Sequence, residues 1–570
     1  MSSEKPAPSG QEDRMEKIVA LAKRRGFIYP SSEIYGGING FWDYGPLGVE
    51  LKRNIKDAWW QDLVRCPPVG PGGEPIQMVG LDCSIIMNPK VWEASGHVGG
   101  FNDPMVDCGS CKARFRADQV YVVLYKRGAQ SGKWKDSDQS LRDLAIVDDA
   151  IAERTKMGMS LSEAQSVPEV QSQLKAWFAV HRPDLAKTAV AQTSEEARQK
   201  ACLTKGEQKI LHTDDPVLIL ELTKYVGISK SGLFPPPPCP SCGTVSLTEP
   251  RRFNLMFKTF VGAMEDSSSV AYLRPETAQG IFANYKNVLD TTRLKIPFGI
   301  AQIGKAFRNE INPRNFTFRS REFEQMEIEF FCHPSEADKW YEFWRDARFK
   351  WYVDQGLKSS KLRLRPHEKD ELAHYARACA DIEYEFPFGV SELEGVANRT
   401  DFDLKAHQEK SGRDMTYFDD ETKEPRYIPY VIEPSGGVDR ALLAFLCEAY
   451  DEDTAPDENG KPQARIVLRF HPRLAPVKVA IFPLVKKDGM PEKARAIYDR
   501  LKAHVTTFYD EKGAVGRRYR RQDEAGTPFC VTVDGQTMSD GSVTIRDRDT
   551  MKQDRIPSDG VLAYVRERLK

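Results

Sequence analysis

The sequence predicts an α+β protein in three parts. A large domain is built on an antiparallel sheet, a mostly helical insertion interrupts it, and an alternating α/β unit follows at the C-terminal end. Three observations predict this. From Gln325 onward, Met326, Ile328 and Phe330 alternate with Gln325, Glu327 and Glu329, the period of two of a strand with one apolar and one polar face. Asn312-Pro313 and Arg314-Asn315 supply turn chemistry between that strand and an earlier one carrying Arg308 and Glu310, giving strand, loop, strand. Past Pro472 and Pro476, a buried strand at Val477 to Phe482 is followed by helical spacing at Ala494, Ile497 and Leu501. Strands at Phe529 to Val533 and Val543 to Ile545 and a helix through Leu562 and Val565 complete the alternation.

A chain of 570 residues exceeds one core, so several domains are expected. Composition shifts divide it into a polar tail at 1–11, expected to be disordered, a main domain at 12–119 and 236–472, an insertion at 120–235 and the α/β unit at 473–570. Lys and Arg number 82 against 83 Asp and Glu, a net charge of -1, so a nucleic-acid partner is met by local basic patches and not by a global field. No apolar run approaches the roughly 20 residues of a membrane span, and the N-terminal residues lack a signal-peptide core. With only 11 cysteines, the expected compartment is the reducing cytoplasm.

Taken in order, Met15, Ile18, Val19 and Ala22 are spaced for an amphipathic helix. Pro46 suits the first residue of a second helix, whose stripe of Leu51, Ile55, Ala58, Trp59 and Leu63 needs a partner, either the core or a second subunit. Cys108-Gly109-Ser110-Cys111 and Cys239-Pro240-Ser241-Cys242 are two C-x-x-C pairs whose four thiols can hold one tetrahedral zinc ion. A redox pair and unligated thiols are the alternatives. Between them the insertion is highly charged and ends in Pro235 to Pro238, a stiff polyproline spacer. Arg274-Pro275-Glu276-Thr277-Ala278-Gln279-Gly280 precedes a helix marked by Ile281, Phe282, Tyr285, Val288 and Leu289. The hairpin that follows gathers Arg308, Arg314, Arg319 and Arg321, planar forks that fit phosphate oxygens, where a bland reading sees a solvated edge. Glu433-Pro434-Ser435-Gly436-Gly437-Val438-Asp439-Arg440 leads into a helix apolar all round and therefore buried. Arg440 sits at its start, where a cation gains nothing from the helix dipole. In the last unit, Arg517-Arg518-Tyr519-Arg520-Arg521 offers cations and an aromatic for nucleic-acid backbone and bases, or is a solvated charge run.

These segments resemble the signature motifs of class II aminoacyl-tRNA synthetases, and among them the dimeric glycyl-tRNA synthetases. Phe307-Arg308-Asn309-Glu310 resembles motif 2 and Gly437-Val438-Asp439-Arg440 motif 3. Arg274 to Gly280 and Phe323-Glu324-Gln325-Met326-Glu327 resemble segments particular to the glycine enzymes, and Ser391-Glu392-Leu393-Glu394-Gly395 a strand beside ATP. The helix after Pro46 and the following strand fall where motif 1 lies at the dimer interface, with Pro89 as its proline, and the last unit resembles the shared anticodon-binding domain.

The resemblance implies a class II fold, ATP with Mg2+ as substrate and metal, glycine and tRNA(Gly) as partners, and a homodimer. Arg308, Glu310 and Arg440 are the implied catalytic residues, with Arg308 on the α-phosphate, Arg440 on the γ-phosphate and Glu310 accepting from the adenine amino group. Asn309, Phe318, Arg319, Arg321, Phe323, Glu392, Leu393 and Gly437 complete the implied ATP site, Glu392 being the candidate magnesium ligand. For glycine the resemblance implies Arg116, Glu276, Phe323, Glu324, Gln325, Met326, Glu327, Glu433, Ser435 and Gly437, the carboxylates meeting the ammonium and Arg116 the carboxylate. Gly436 stands where the family often has a bulkier residue, which is expected to loosen the pocket wall. A non-catalytic relative would lack the motif arginines, which are present. A class II enzyme for another amino acid is disfavoured by the Arg274 to Gly280 segment and the carboxylate-rich strand.

Overall fold

The computed structural model describes residues 10–119, 121–126, 190–192, 217–221, 239–369, 371–373, 375–419, 421, 423, 425–456 and 461–569. They form two compact units, one of residues 1–98 with 256–570 and one of residues 99–255. The second unit takes in more than the expected insertion because Asn102–Asp107 pairs with both Arg114–Arg116 and Arg251–Asn254. Within 120–235 the described residues are the strands Tyr121–Lys126, Val190–Gln192 and Val217–Glu221, which form one sheet. The helices expected there lie outside the described residues.

The first unit opens with helix α1, Gly10–Arg25, which begins inside the tail expected to be disordered. Helix α2, Pro46–Trp60, has Pro46 in its first turn. Its stripe of Leu51, Ile55, Ala58 and Trp59 is buried within the chain's own core, so the second subunit is not what covers it. Strand β1, Gln77–Gly80, follows, and Pro89 opens a short helix capped by the Asn88 side chain.

Then come helix α3, Ala278–Thr292, and strands β2, Phe298–Phe307, and β3, Glu322–Cys332, followed by helix α4, Ala337–Asp354. Strands β4, Leu362–Pro366, β5, Ala378–Phe386, β6, Gly389–Thr400, and β7, Tyr430–Gly437, precede helix α5, Val438–Ala449. The seven strands form one sheet in the order β4-β5-β6-β7-β3-β2-β1, antiparallel except where β1 joins β2.

The two faces of this sheet differ, and the difference makes the site. Met326, Ile328 and Phe330 of β3 point into the main core with Trp340 and Trp344 of α4 and the apolar length of α5. On the opposite face, α3 covers only part of the sheet, packing Ile281, Phe282 and Tyr285 on Phe298, Ile300 and Phe331. The polar side chains of β3 occupy the rest of that face, and they are not solvated as alternation alone implies: Glu327 and Glu329 are fully buried.

The last unit of the sequence reading is a five-stranded sheet. Its strands are β8, Val479–Pro483, β9, Thr507–Tyr509, β10, Phe529–Val533, β11, Ser542–Asp547, and β12, Gln553–Pro557, in the order β9-β8-β10-β11-β12. The basic run at 517–521 lies on the helix Val515–Ala525, and the fold uses much of it internally. Arg518 donates to the Pro483 carbonyl, Arg521 to Asp510 at 2.5 Å, and the Tyr519 hydroxyl meets Thr532 at 2.6 Å. Arg517 is exposed.

Candidate active site

The open part of the sheet face holds a cavity of about 480 Å³, walled by β3, β5, β6, β7, the loop joining β2 to β3 and the segment before α3. β2 ends at Phe307, so Arg308 and Glu310 belong to the start of that loop and not to the strand. Antiparallel register sets the floor: Glu327 lies opposite Ser435 and Glu433 opposite Ala397.

One end of the cavity is acidic. Ser435 Oγ donates to Glu327 at 2.7 Å, and the Thr277 hydroxyl donates to its other oxygen. Arg399, at the end of β6, donates twice to Glu433, at 2.8 and 2.9 Å, and twice to Asp403, at 2.8 and 2.9 Å. Burial, with Glu276 nearby, pushes the Glu327 carboxyl up, and burial pushes Glu433 up to about 8 despite its guanidinium partner. Burial acts on Glu276 too, but the charges of His97, 3.4 Å away, and of Arg399 and Arg308 outweigh it and hold that carboxyl below its ordinary value. Arg274 is structural: it donates to the Lys305 and Cys83 carbonyls at 2.6 and 2.7 Å. A Cβ at Gly304 would lie 2.3 Å from its guanidinium, so only glycine lets β2 pass there.

The other end is basic. Arg308 donates to the Pro275 carbonyl at 3.0 Å and lies 5.4 Å from the Phe323 ring centroid, while Arg319 approaches Glu310 at 3.9 Å. Arg440 stacks over Phe318 at 4.5 Å and pairs with Glu392 at 3.2 Å, and its charge holds that carboxyl below its ordinary value. The α5 start is held by Asp439, which accepts from Lys52 at 2.8 Å, from the Glu324 backbone N–H at 2.7 Å and from the Tyr44 hydroxyl.

The cavity thus brings together Arg308, Glu310, Phe318, Arg319, Phe323, Gln325, Glu327, Glu392, Leu393, Glu433, Ser435, Gly437, Arg440 and Glu276. Other candidates go elsewhere. Glu324 and Met326 fall on the opposite face of β3, as its period of two requires: Glu324 pairs with Lys52 and Lys56 at 3.1 and 2.8 Å, and Met326 is core. Arg321 donates to the Glu310 and Asn39 carbonyls at 3.1 and 2.6 Å and so shapes the loop. Asn309 does not line the cavity. Arg116 belongs to the second unit, where it pairs with Asp103 and Asp118 at 2.9 and 2.6 Å. Gly436 lines the cavity with its backbone, and a Cβ there would point away from it, 2.6 Å from a Glu394 carboxylate oxygen, so a bulkier residue would press on Glu394 and not on the pocket wall. Sequence reasoning missed Arg399, although an Arg399/Asp403 pair four residues apart across a strand-to-helix turn was there to be read.

In the second unit, the sulfurs of Cys108, Cys111, Cys239 and Cys242 all lie within 4.8 Å of one another, with Cys108 to Cys242 at 3.7 Å and Cys111 to Cys239 at 3.8 Å. Four thiolates about 2.3 Å from one tetrahedral zinc stand about 3.8 Å apart, so the donor set fits that ion. The two loops match: Lys112 and Gly243, each following a pair's second cysteine, are left-handed, and each N–H returns to the first cysteine's carbonyl, at 3.0 and 2.8 Å. No helix among the described residues is long and apolar enough to cross a membrane.

Residues 260–449 match the tRNA synthetase class II core domain family (G, H, P, S and T), and residues 478–568 match the anticodon binding domain family. The chain is 50% identical over 587 residues to the glycine--tRNA ligase of Rhodopirellula baltica, covering 98% of this chain and 99% of the relative. It is 49% identical over 556 residues to that of Caldanaerobacter subterraneus subsp. tengcongensis, covering 98% of each. To that of Geobacillus thermodenitrificans it is 47% identical over 555 residues, covering 97% of each. With its acidic and basic ends on one antiparallel sheet, the chain belongs to the glycine--tRNA ligases of the class II aminoacyl-tRNA synthetase family.

Proposed function

We propose that this protein activates glycine with ATP to glycyl-adenylate, releasing pyrophosphate, and transfers the glycyl group to the 3′ end of tRNA(Gly). The observation that carries the reading is the two-ended cavity. An amino acid and a nucleotide that must react present an ammonium and a polyphosphate, and the carboxylates of Glu276, Glu327 and Glu433 stand at one end with Arg308, Arg319 and Arg440 at the other. A glycine carboxylate oxygen attacks the α-phosphorus, the new O–P bond forms as the bond to the β-phosphate oxygen breaks, and pyrophosphate leaves. Arg308 stabilises charge at the α-phosphate and Arg440 at the γ-phosphate, and Phe323 and Glu310 take the adenine. Glu392, which also pairs with Arg440 at 3.2 Å, would hold magnesium, and the ion would supply neutralisation of phosphate charge. Ser435 and the buried carboxylates leave little room at the α-carbon, so larger amino acids are excluded by collision.

The test is exchange of labelled pyrophosphate into ATP without tRNA, with glycine beside alanine, serine, threonine and proline. Exchange with glycine alone is expected. Exchange with another of them discards the pocket assignment while keeping the mechanism.

The same reading extends to a cytoplasmic homodimer. The exposure of Ile34 (87%), Tyr35 (86%) and Ile38 (58%) supports a further partner surface, and the dimer itself rests on the resemblance. The four cysteines are read as a structural zinc knuckle. Protein purified under reducing conditions is expected to carry about one zinc per chain by elemental analysis, and Cys239→Ser to lose it with a lowered Tm. Zinc retained in full by the variant rejects the knuckle.

A further inference from the structure

Behind the acidic end of the cavity lies a further carboxyl group that does not line it. Glu329, two residues beyond Glu327 on the same face of β3, is completely buried, and no donor among the described residues reaches either of its oxygens. Its carboxyl lies within 4.8 Å of those of Glu327 and Glu433. The charged groups facing it are Glu327 on its own strand, Glu433 on β7, Arg399 on β6 and Asp403 on the helix Phe402–Ser411, with Glu276 beyond Glu327 in the segment before α3. The hydrogen bonds of Arg399 go to Glu433 and Asp403 and none goes to Glu329. His97 pairs with Glu276. Several like charges this close in a buried site do not all ionise. An ionised carboxylate with no donor would also leave a bare charge in the interior, whereas a protonated one brings its own donor.

We propose that Glu329 is a neutral carboxylic acid in the working enzyme, a positioning residue whose single O–H is donated to one of the facing carboxylates of Glu327 and Glu433 and holds it in place without adding a negative charge. Its direction of shift agrees, since burial first and then Glu433 and Glu327 push its carboxyl well above the ordinary range. The role rests on the placement of the glycine ammonium among Glu276, Glu327 and Glu433. Glu329 keeps one of those three in place while the ammonium is absent, so the site is preorganised.

The test uses the full-length enzyme with Glu329→Gln, Glu329→Leu and, as a control on the ammonium site, Glu327→Gln. Glutamine copies a neutral acid, so Glu329→Gln is expected to keep the glycine KM in pyrophosphate exchange within about threefold, whereas Glu329→Leu, lacking a donor, raises it about tenfold or more at unchanged ATP KM. The infrared band of a protonated carboxylic acid at about pH 9.5, above the value of about 8 to which burial pushes Glu433, is expected in wild type and absent from Glu329→Gln. A glycine KM raised in Glu329→Gln as much as in Glu327→Gln would show that the anion is needed and overturn the proposal. So would a missing infrared band, or equal KM values in the glutamine and leucine variants. If Glu327→Gln binds glycine normally, the ammonium placement falls and the positioning role with it, while the infrared band still reports separately on the Glu329 proton. Should Glu329→Leu fail to fold, Glu329→Gln and the band decide the matter.

Discussion

Arg308→Ala is expected to lose about 3 kcal/mol of transition-state stabilisation, or about two orders of magnitude in glycine-dependent pyrophosphate exchange, with little change in Tm. The reason is where the side chain sits. Its Nε is held by the Pro275 carbonyl and its plane approaches Phe323, so the guanidinium is aimed into the cavity before any substrate arrives. A donor positioned in advance costs no reorganisation as charge develops, which is why its removal falls on kcat more than on substrate affinity. Lysine in its place restores charge but not the planar fork, so Arg308→Lys should recover only part of the loss. Pyrophosphate exchange near the wild-type rate in the alanine variant would remove Arg308 from the chemistry.

Arg399→Leu should be the most damaging substitution for the fold of the site. It strands two buried carboxylates, Glu433 and Asp403, that now share four hydrogen bonds with one guanidinium, and breaking a buried pair from one side costs about 3 to 5 kcal/mol. The loss depends on pH with a definite sign. Burial already pushes the Glu433 carboxyl up to about 8, against an unfolded value near about 4.3. The stability tied to its proton is therefore fully present below the unfolded value and is lost as pH rises through the folded one. Removing Arg399 raises the folded value further, so the Tm deficit of the variant should stay constant from about pH 5 to about pH 8 and widen as pH rises above about 8. A deficit independent of pH would mean that the guanidinium contributes packing, not charge.

Much of this was legible in the chain, and the parts that were not share a cause. Period two along β3 named the two faces correctly, and helical spacing found α2, α3 and the helices beside β8 and β12. The same period should have removed Glu324 and Met326 from a ligand site, but reading a motif as a contiguous word hides the alternation. The burial of Glu327 and Glu329 could not be read, because their surroundings, Thr277, Ser435 and Arg399, come from segments about 50 to more than 100 residues away that only the sheet brings together. Arginine clustering was read as phosphate binding throughout the hairpin. Residue type could not say which guanidiniums line the cavity, as Arg308 and Arg440 do, and which, like Arg321, are taken by the backbone carbonyls of Glu310 and Asn39.

The contact beneath Gly436 bears on efforts to retune the enzyme for bulkier amino acids. Glu394, held by Arg348 at 2.6 and 2.9 Å and by the Tyr352 hydroxyl at 2.8 Å, presses on the underside of β7 at the residue next to Ser435. A library that diversified 433–437 as one block would therefore spend its variants at 436 on unfolded protein, since any side chain there collides with Glu394 behind the sheet. Room for a larger substrate has to be sought on the other side of the strand, by shortening what Ser435 and its neighbours on β6 present to the cavity, with the Glu394 clamp left as the fixed backing against which the pocket is reshaped.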